Sequence, residues 1–383
     1  MFIYLAVFAL SSFFTAIAQY SSQKKQSGAF LAFSSIAILL PVLLAAFRDP
    51  GIGTDTASYG INVWHSVLTN HRLDSLLHQY NNGYFPEVEL IYLALNWFIA
   101  QFTDDIHVLF FALNLIVIGF IYKAAYDNRH KANMWQVMLF FNLLFYSNSL
   151  NLLRQYIAVA IGTYAYKFLE TREWKKLIFW VIIMFLWHNT TIVFVALIGI
   201  DILFKIKNKK INRIIYASIA LSIYILFVHF DEILLFIVNR GLIPYRFKAY
   251  LSQYSDETFF DTTSTLLAFF MLAFFVYLRF YLKPNENKNE LTTFFSYKAI
   301  ATALNLTSMI SKFVFRMSYF FSNITDCIFL PRALFMLKEK SRSRYYIFST
   351  LFVLLCTVFW YFLYVKNGIN QVIPYKSSIL GIN

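Results

Sequence analysis

The segment FRDPGIGTDTASYG, residues 47–60, places a cation and a carboxylate around a turn of defined shape. Its glycines accept positive φ angles and its proline fixes its own φ, so the turn holds Arg48 and Asp55 in a set relation. A guanidinium suits a phosphate-bearing ligand, and a carboxylate suits removal of a proton from a hydroxyl group. Arg48 would also serve as a simple anchor that snorkels from a helix end, and the sequence leaves both interpretations open.

A second polar cluster, NSLNLLRQYIAVAI at residues 148–161, opens an apolar helix with Arg154 and Gln155. A guanidinium beside the amides of a helix start forms an anion site, because the charge and the helix dipole both favour phosphate. An arginine near the membrane interface can be an anchor. The neighbouring Asn148, Asn151 and Gln155 exceed what an anchor needs, so the pattern favours ligand binding.

A histidine lies in the middle of an apolar stretch in the segment FLWHNTTIVF, residues 185–194. A polar side chain in a membrane segment is costly, so His188 is a functional candidate even though a lone histidine in a soluble core is usually structural. The hydroxyls of Thr190 and Thr191 can satisfy the carbonyls of a broken helix. The segment therefore predicts a helix break at His188 with access to water.

Two further clusters lie towards the end of the sequence. In SKFVFRMSYFF, residues 311–321, Lys312 and Arg316 are four residues apart and share a helical face, with Tyr319 following them. The segment VIPYKSS adds Tyr375 and Lys376. Cations beside exposed tyrosines suit a polyanionic or sugar-bearing ligand, although tyrosines alone are also typical of an interfacial aromatic belt.

The elements that position these clusters are apolar segments. Hydrophobic residues make up 59% of the 383 residues and charged residues only 14%, whereas about 25% is usual for a soluble domain. Apolar stretches of about 17–20 residues recur, each long enough to cross about 30 Å of hydrocarbon as a helix. They lack the alternation of a β-barrel. The eleven apolar segments, most of about this length, run over residues 2–19, 28–47, 106–122, 134–150, 155–169, 177–204, 214–230, 264–282, 292–310, 319–336 and 345–365. We expect an all-α polytopic membrane protein, a bundle of about 11 transmembrane helices with re-entrant or broken helices.

The basic residues indicate a lipid bilayer as partner, and no nucleic acid. The net charge of +13 comes from short clusters between apolar segments, which follows the positive-inside rule. Two segments would place basic clusters on the outer side of the membrane if each of them crossed it once. We read 86–102 as a re-entrant or interfacial helix and Asp104 and Asp105 as the amino-terminal cap of the true span that follows it. With 177–204 as two half-helices that meet at His188, every basic cluster then lies inside.

The resulting topology predicts one integral membrane domain, residues 1–383. Its outer face holds the loop 48–105, with the re-entrant helix, and the loop 231–263. Glu87 and Glu89 lie on the re-entrant helix and are reserve candidates for a catalytic base.

Several motifs of other enzyme classes are missing from the sequence. It has no glycine-rich phosphate loop, zinc-ligand spacing or serine-nucleophile elbow, and no Asp-x-Asp pair that would hold a metal for a nucleotide-sugar donor. The sequence therefore argues against ATP hydrolysis and nucleotide-sugar use, and we expect neither a cofactor nor a metal.

Taken in order, these clusters resemble the EpsG/Wzy-type bacterial polysaccharide polymerases. FRDPGIGTDTASYG is similar to the Arg…Gly-Thr-Asp…Tyr element of that family, and NLLRQYIAVAI to its Arg-Gln-x-x-Ala helix start. FLWHNTTIVF resembles its histidine-containing helix break, and RMSYFF with the PYK segment resembles the end of such chains. The resemblance covers most of the sequence.

The resemblance implies a GT-C-like glycosyltransferase in the bacterial inner (cytoplasmic) membrane, with its active site facing the periplasm. The growing glycan on undecaprenyl pyrophosphate is the donor, a repeat unit on the same lipid is the acceptor, and a chain-length regulator is a further partner. Arg48, Arg154 and Arg316 would stabilise the pyrophosphate in place of a metal. Asp55 or His188 would be the base, and the sequence does not rank them. The other predicted substrate-binding residues are Gln155, Lys312, Tyr319, Tyr375 and Lys376. A flippase or transporter of lipid-linked oligosaccharides, and an O-antigen ligase, are the alternatives.

Overall fold

The computed structural model describes residues 1–70, 72–85, 88–206, 209–241, 262–282, 288–306 and 312–382. These ranges are helical and contain no β-strand, apart from one isolated bridge between Ser377 and Ile382. The predicted all-α class is confirmed.

Nineteen α-helices are described in these ranges: α1 Phe2–Gln23, α2 Ser27–Ala46, α3 Asn62–Thr69, α4 Leu73–Asn81, α5 Leu90–Ala100, α6 Ile106–Asp127, α7 Met134–Leu144, α8 Tyr146–Asn151, α9 Leu153–Glu170, α10 Trp174–Trp187, α11 Ile192–Phe204, α12 Lys209–Val228, α13 Phe230–Asn239, α14 Thr262–Tyr281, α15 Lys288–Leu306, α16 Lys312–Met317, α17 Tyr319–Asn323, α18 Leu330–Lys340 and α19 Arg342–Trp360. Three π-helical turns are also described, at Thr56–Ile61, Ile324–Phe329 and Tyr361–Lys366.

Six helices among the described residues are long and apolar enough to cross a membrane: Phe2–Gln23, Ser27–Ala46, Ile106–Asp127, Thr263–Tyr281, Phe315–Lys340 and Arg342–Lys366. They confirm a multi-pass membrane protein. Helix α5 has 11 residues, which is about half the length needed for a crossing. The count of about 11 spans, the re-entrant placement of α5 and the GT-C-like arrangement stay predictions.

The chain forms two compact units, and the single membrane domain stays a prediction. The first unit comprises Met1–Ile192 and Asp326–Asn383, and the second comprises Val193–Thr325. The candidate site described below lies in the first unit.

Helices α1, α2, α6 and α9 give the first unit two polar ends. The Ser11 hydroxyl of α1 donates to Ala37 of α2 at 2.7 Å, and the hydroxyl of Tyr122 on α6 donates to Ser34 on α2 at 2.6 Å. The amino terminus of α6 therefore lies beside the carboxyl terminus of α2. We call the end that holds Arg48 and Arg154 the arginine end. We call the other end the basic end; it holds Lys24, Lys25, Lys123, Arg129, Lys131, Lys167, Lys338 and Lys340.

A buried ion pair fastens the basic end. The guanidinium of Arg332 on α18 donates to both carboxylate oxygens of Glu170, at 2.5 and 2.7 Å, and its Nε donates to Asn128 at 2.7 Å. Such a bidentate pair fixes both position and orientation. It ties the ends of α6, α9 and α18 together.

Local signals predicted from the sequence also appear at two helix ends. The Asp105 carboxylate accepts from the backbone N–H of His107 at 2.9 Å and so caps α6, as predicted. The long apolar stretch 177–204 is broken at His188, whose φ and ψ of −165° and 134° are extended. A 3₁₀ turn, Asn189–Thr191, follows the break.

The second unit is described by itself. Asp201 on α11 is buried and accepts from the hydroxyl of Tyr297 on α15 at 3.0 Å. It also pairs with Lys205 at 2.9 Å. A buried carboxylate needs such partners, because an unpaired buried charge is costly. These contacts join α11 to α15.

Candidate active site

An ion pair between Arg154 and Glu89 is the centre of the arginine end. Arg154 is the second residue of α9, and Glu89 immediately precedes α5; their side chains are only 7% and 13% exposed. Because both side chains are largely shielded from water, their charges attract each other more strongly than those of a surface pair. The start of α9 at Arg154 and Gln155 agrees with the sequence.

The Arg154 guanidinium lies over the rings of two tyrosines. Its central carbon lies 4.1 Å from the ring centroid of Tyr59 and 5.9 Å from that of Tyr92. The hydroxyl of Tyr92 donates to the carbonyl of Tyr59 at 2.6 Å, which ties α5 to the π-helical turn that carries Tyr59. Such turns are frequent at functional sites, because they redirect side chains within a helix. Stacking fixes the guanidinium without using its N–H donors.

Glu89 has the properties of a proton acceptor. It lies outside the six candidate spans, and burial raises its pKa above the usual value for glutamate, against the opposing effects of Arg154 and of the backbone N–H of Asn189. A carboxylate with a raised pKa is a better base near neutral pH than an exposed one. The hydrogen bond from Asn189 also brings the break at His188 next to Glu89.

The protonation of the His188 ring follows from its contacts. Nδ1 accepts from the backbone N–H of Thr190 at 3.1 Å and lies 2.8 Å from the Thr190 hydroxyl. An amide N–H only donates, so the neutral ring carries its proton on Nε2. The Thr191 hydroxyl donates to the carbonyl of His188 at 2.7 Å and satisfies the broken helix, as predicted. Nε2 is therefore a hydrogen-bond donor in the neutral ring.

Asp55 is positioned by α8 and the turn into α9, a segment that carries Asn148 and Asn151 and that we call the corner. Its backbone N–H donates to Oδ1 of Asn151 at 2.7 Å, and the Thr54 hydroxyl donates to the same oxygen at 3.2 Å. Gly53, with φ of +102°, lets the loop approach closely: a Cβ there would lie 2.6 Å from the Thr56 hydroxyl and 3.4 Å from Asn151 Oδ1. The loop and the corner thus form one packed structure.

Side-chain amides also link the corner to the tail, which we define as residues 367–382. The Asn151 side chain donates to Oδ1 of Asn370 at 3.1 Å, and the Asn370 side chain donates to Oδ1 of Asn148 at 2.8 Å. Asn370 has φ of 64°, a conformation that asparagine tolerates. The tail therefore orients the asparagines of the corner.

The tail is held in place at Asp49. The Asp49 N–H donates to the carbonyl of Lys376 at 2.9 Å, and the Asp49 carboxylate accepts from the Ser378 N–H and hydroxyl at 2.7 and 2.8 Å. These hydrogen bonds from Ser378 hold the pKa of Asp49 below its usual range. The Lys376 side chain is exposed, whereas Tyr375 is buried with its hydroxyl 3.0 Å from the carbonyl of Leu44.

Arg48 is fully buried behind the corner. Its guanidinium donates to the carbonyls of Ala45 and Leu150, at 2.9 and 3.1 Å, and lies 4.4 Å from the Phe110 ring centroid. Four tyrosines surround it: Tyr4, Tyr92, Tyr146 and Tyr375. Among the described residues no carboxylate pairs with Arg48, so it is a source of positive potential beneath the site.

The remaining predicted residues lie outside this cluster. Gln155 is buried on α9, next to Arg154. Arg316 on α16 and the buried Tyr319 on α17 belong to the second unit. The side chain of Lys312, residue Glu87 and most of the loop 231–263 lie outside the described residues. The structure thus brings Arg154, Glu89, the His188 break and the loop of Asp55 together within the first unit.

Three residues of the site were not predicted: Tyr59, Tyr92 and Asn370. Tyr59 is the tyrosine of the Arg…Gly-Thr-Asp…Tyr element, but no contact was assigned to it, and Tyr92 was only one of the 26 tyrosines in the chain. A possible signal for Asn370 was the segment Asn367–Asn370, in which a glycine and two asparagines mark a turn. No group of three or more His, Cys, Asp or Glu side chains suited to a metal ion occurs in the described ranges.

Fold and site together define a class: a multi-pass, all-α membrane protein with a buried, aromatic-stacked arginine–glutamate pair at a helix start. The model of the EpsG family matches residues 31–377, nearly the whole chain. The protein therefore belongs to the EpsG family, which confirms the resemblance seen in the sequence. No curated protein and no solved structure matches the chain.

Proposed function

We propose that the protein is a glycosyltransferase that polymerises lipid-linked oligosaccharide repeat units. The single observation that carries the proposal is the buried Arg154–Glu89 pair, next to the break at His188, in a chain of the EpsG family. A cation stacked at a helix start suits a pyrophosphate, and an adjacent carboxylate suits a sugar hydroxyl.

The proposed reaction transfers the growing glycan from undecaprenyl pyrophosphate to a new repeat unit on the same lipid. A hydroxyl oxygen of the acceptor sugar forms a bond to the anomeric carbon of the donor. The bond between that carbon and the pyrophosphate oxygen breaks with its electron pair, so lipid pyrophosphate leaves as an anion. The hydroxyl proton passes to a carboxylate of the protein.

The side chains of the first unit divide this work. Arg154 binds the departing pyrophosphate, and the buried charge of Arg48 adds positive potential from behind. Asp55 and Glu89 are the proposed proton acceptors, because the contacts of Nδ1 make neutral His188 a donor. We assign His188 a hydrogen bond to a sugar or phosphate oxygen. Gln155 and the exposed Lys376 complete the binding groups of this unit.

Three residues of the second unit keep the role that the sequence predicts for them. Lys312, Arg316 and Tyr319 retain their predicted role in binding charged and sugar groups, and the buried Tyr375 supports Arg48 from behind. No metal is required in this scheme, since the arginines take over charge stabilisation.

We place the active site on the periplasmic face of the bacterial inner membrane. The support is the separation of the first unit into an arginine end and a basic end, because clustered lysines and arginines favour the cytoplasmic side. A bundle of about 11 spans with GT-C-like architecture, and a chain-length regulator as partner, belong to the same proposal.

The glycan ladder from cells that lack the protein tests this function. A surface glycan of one repeat unit is the result expected for a polymerase. Loss of all surface glycan would indicate the flippase alternative, and full-length chains left on the lipid would indicate the ligase. Either of these two results contradicts the proposed function.

A further inference from the structure

A polar cavity lies at the basic end of the first unit, at the opposite end of the helices from the candidate active site. Its volume is about 370 Å³, which is at the lower end of the usual range for small-ligand sites. It is lined by the end of α1, the connection between α6 and α7, and the end of α18. The lining includes Gln19, Tyr20, Arg129, His130, Asn133, Trp135 and Lys338.

Two cations, Arg129 and Lys338, line this cavity. In the ranges that the structure describes, neither side chain forms an ion pair. Other cations at the same end are paired with carboxylates: Lys123 and Lys167 with Asp127, and Arg332 with Glu170. Arg129 and Lys338 therefore bring positive charge to the cavity that no carboxylate described there offsets, and an anion would neutralise it.

The cavity is preorganised by hydrogen bonds and aromatic rings. The Arg129 guanidinium lies 4.0 Å from the Tyr126 ring centroid and donates one N–H to the Tyr126 carbonyl at 3.0 Å. Gln19 is buried; its side chain donates to the Arg129 carbonyl at 3.0 Å and accepts from the Met134 N–H at 2.8 Å. The connection that carries Arg129 is thus held in place without any ligand.

The surroundings of the cavity suit the headgroup region of a bilayer. Tyr20 is 58% exposed and Trp135 is half-buried, and both residue types favour the boundary between hydrocarbon and water. The cavity also lies at the end of α1, one of the six candidate spans. Basic pockets between helices at this depth bind anionic lipid headgroups.

We propose that this cavity binds the phosphate of an anionic phospholipid, with Arg129 and Lys338 as the cationic ligands. The site is separate from the proposed transfer reaction and does not depend on it. Each cation is expected to contribute about a five- to sixfold preference for anionic over zwitterionic lipid, so the two together contribute about thirtyfold.

The test uses the full-length protein in phosphatidylcholine vesicles that contain brominated phosphatidylglycerol as a quencher of tryptophan fluorescence. The chain has seven tryptophans, so the signal of Trp135 is obtained as the difference from Trp135→Phe. Brominated phosphatidylcholine is the reference lipid. We expect brominated phosphatidylglycerol to quench Trp135 at a far lower mole fraction than brominated phosphatidylcholine does.

The substitutions Arg129→Gln and Lys338→Gln together should lower the preference for phosphatidylglycerol over phosphatidylcholine by about thirtyfold. The matched control is Arg342→Gln with Arg344→Gln, which removes two charges at the same end without changing the lining of the cavity. An equal loss in both double variants would show a diffuse charge effect and overturn the proposal. Displacement of the lipid by inorganic phosphate at a comparable concentration would assign the cavity to a soluble anion and overturn it as well.

Discussion

Replacing Glu89 by glutamine separates the stabilising role of the Arg154–Glu89 pair from its proposed role in catalysis. The substitution keeps the size of the side chain but removes the charge that pairs with the Arg154 guanidinium, which is 7% exposed. Breaking one side of a buried pair costs about 3–5 kcal/mol of stability. If Glu89 also accepts the proton, turnover of the folded protein should fall by about 10²–10⁴-fold in addition.

The same unit contains a matched control in the buried Arg332–Glu170 pair. Its arginine is 3% exposed and its carboxylate 26% exposed, and it lies at the opposite end of α9. Glu170→Gln should therefore cost a similar amount of stability but leave the turnover of the folded protein unchanged. The double substitution Glu89→Gln with Arg154→Gln removes both charges, so it should regain much of the lost stability and stay inactive.

The assay follows chain extension of a lipid-linked repeat unit by the purified protein, together with thermal unfolding of each variant. The raised pKa of Glu89 implies that the rate of the native protein falls as the pH drops through a value above that of an ordinary glutamate. Glu89→Gln should abolish this part of the pH profile. Near-normal turnover by Glu89→Gln, once corrected for the folded fraction, would refute the reasoning.

Four further predictions follow from the same geometry. His188→Gln keeps an N–H donor near the position of Nε2 and should retain part of the activity in the extension assay, whereas complete loss, matching His188→Ala, would favour a base at this position. Asn370→Ala removes two hydrogen bonds from the corner, each worth about 0.5–1.5 kcal/mol, and should slow extension with little effect on insertion; an unaltered rate would show that the tail does not orient Asn151. Activity should survive a strong chelator, and loss on chelation that Mg²⁺ restores would contradict an arginine-only mechanism. Cysteine at Ile379 should react with a membrane-impermeant reagent from the periplasm and cysteine at Lys131 should not; the reverse pattern would invert the proposed orientation.

The features predicted correctly from the sequence depend on neighbours in the chain. The cap at Asp105 bonds a residue two positions away, and the break at His188 is satisfied by threonines within three residues. Apolar segment length likewise predicts a helix without knowledge of its partners. These signals gave the helical class, the start of α9 and the break.

The contacts that form the site depend on tertiary packing instead. Glu89 and Arg154 are 65 residues apart, and no local pattern distinguishes Glu89 from Glu87. The environment of Arg48 shows the same limit: the sequence predicts a cation at a helix end, but not that two carbonyls and four tyrosines enclose it. Such pairings are set by which helices pack together, and a single sequence does not record that choice.

The row of amides at the corner has a consequence for biosynthesis. Asn151 is translated 219 residues before Asn370, its partner in the tail. During synthesis the corner and the loop of Asp55 have already entered the membrane while this partner is still missing. The proposed active site is therefore completed late, after the helices between the two asparagines have been inserted. A nascent chain that already displays Arg154 and Glu89 should have no extension activity until the tail has docked at Asp49.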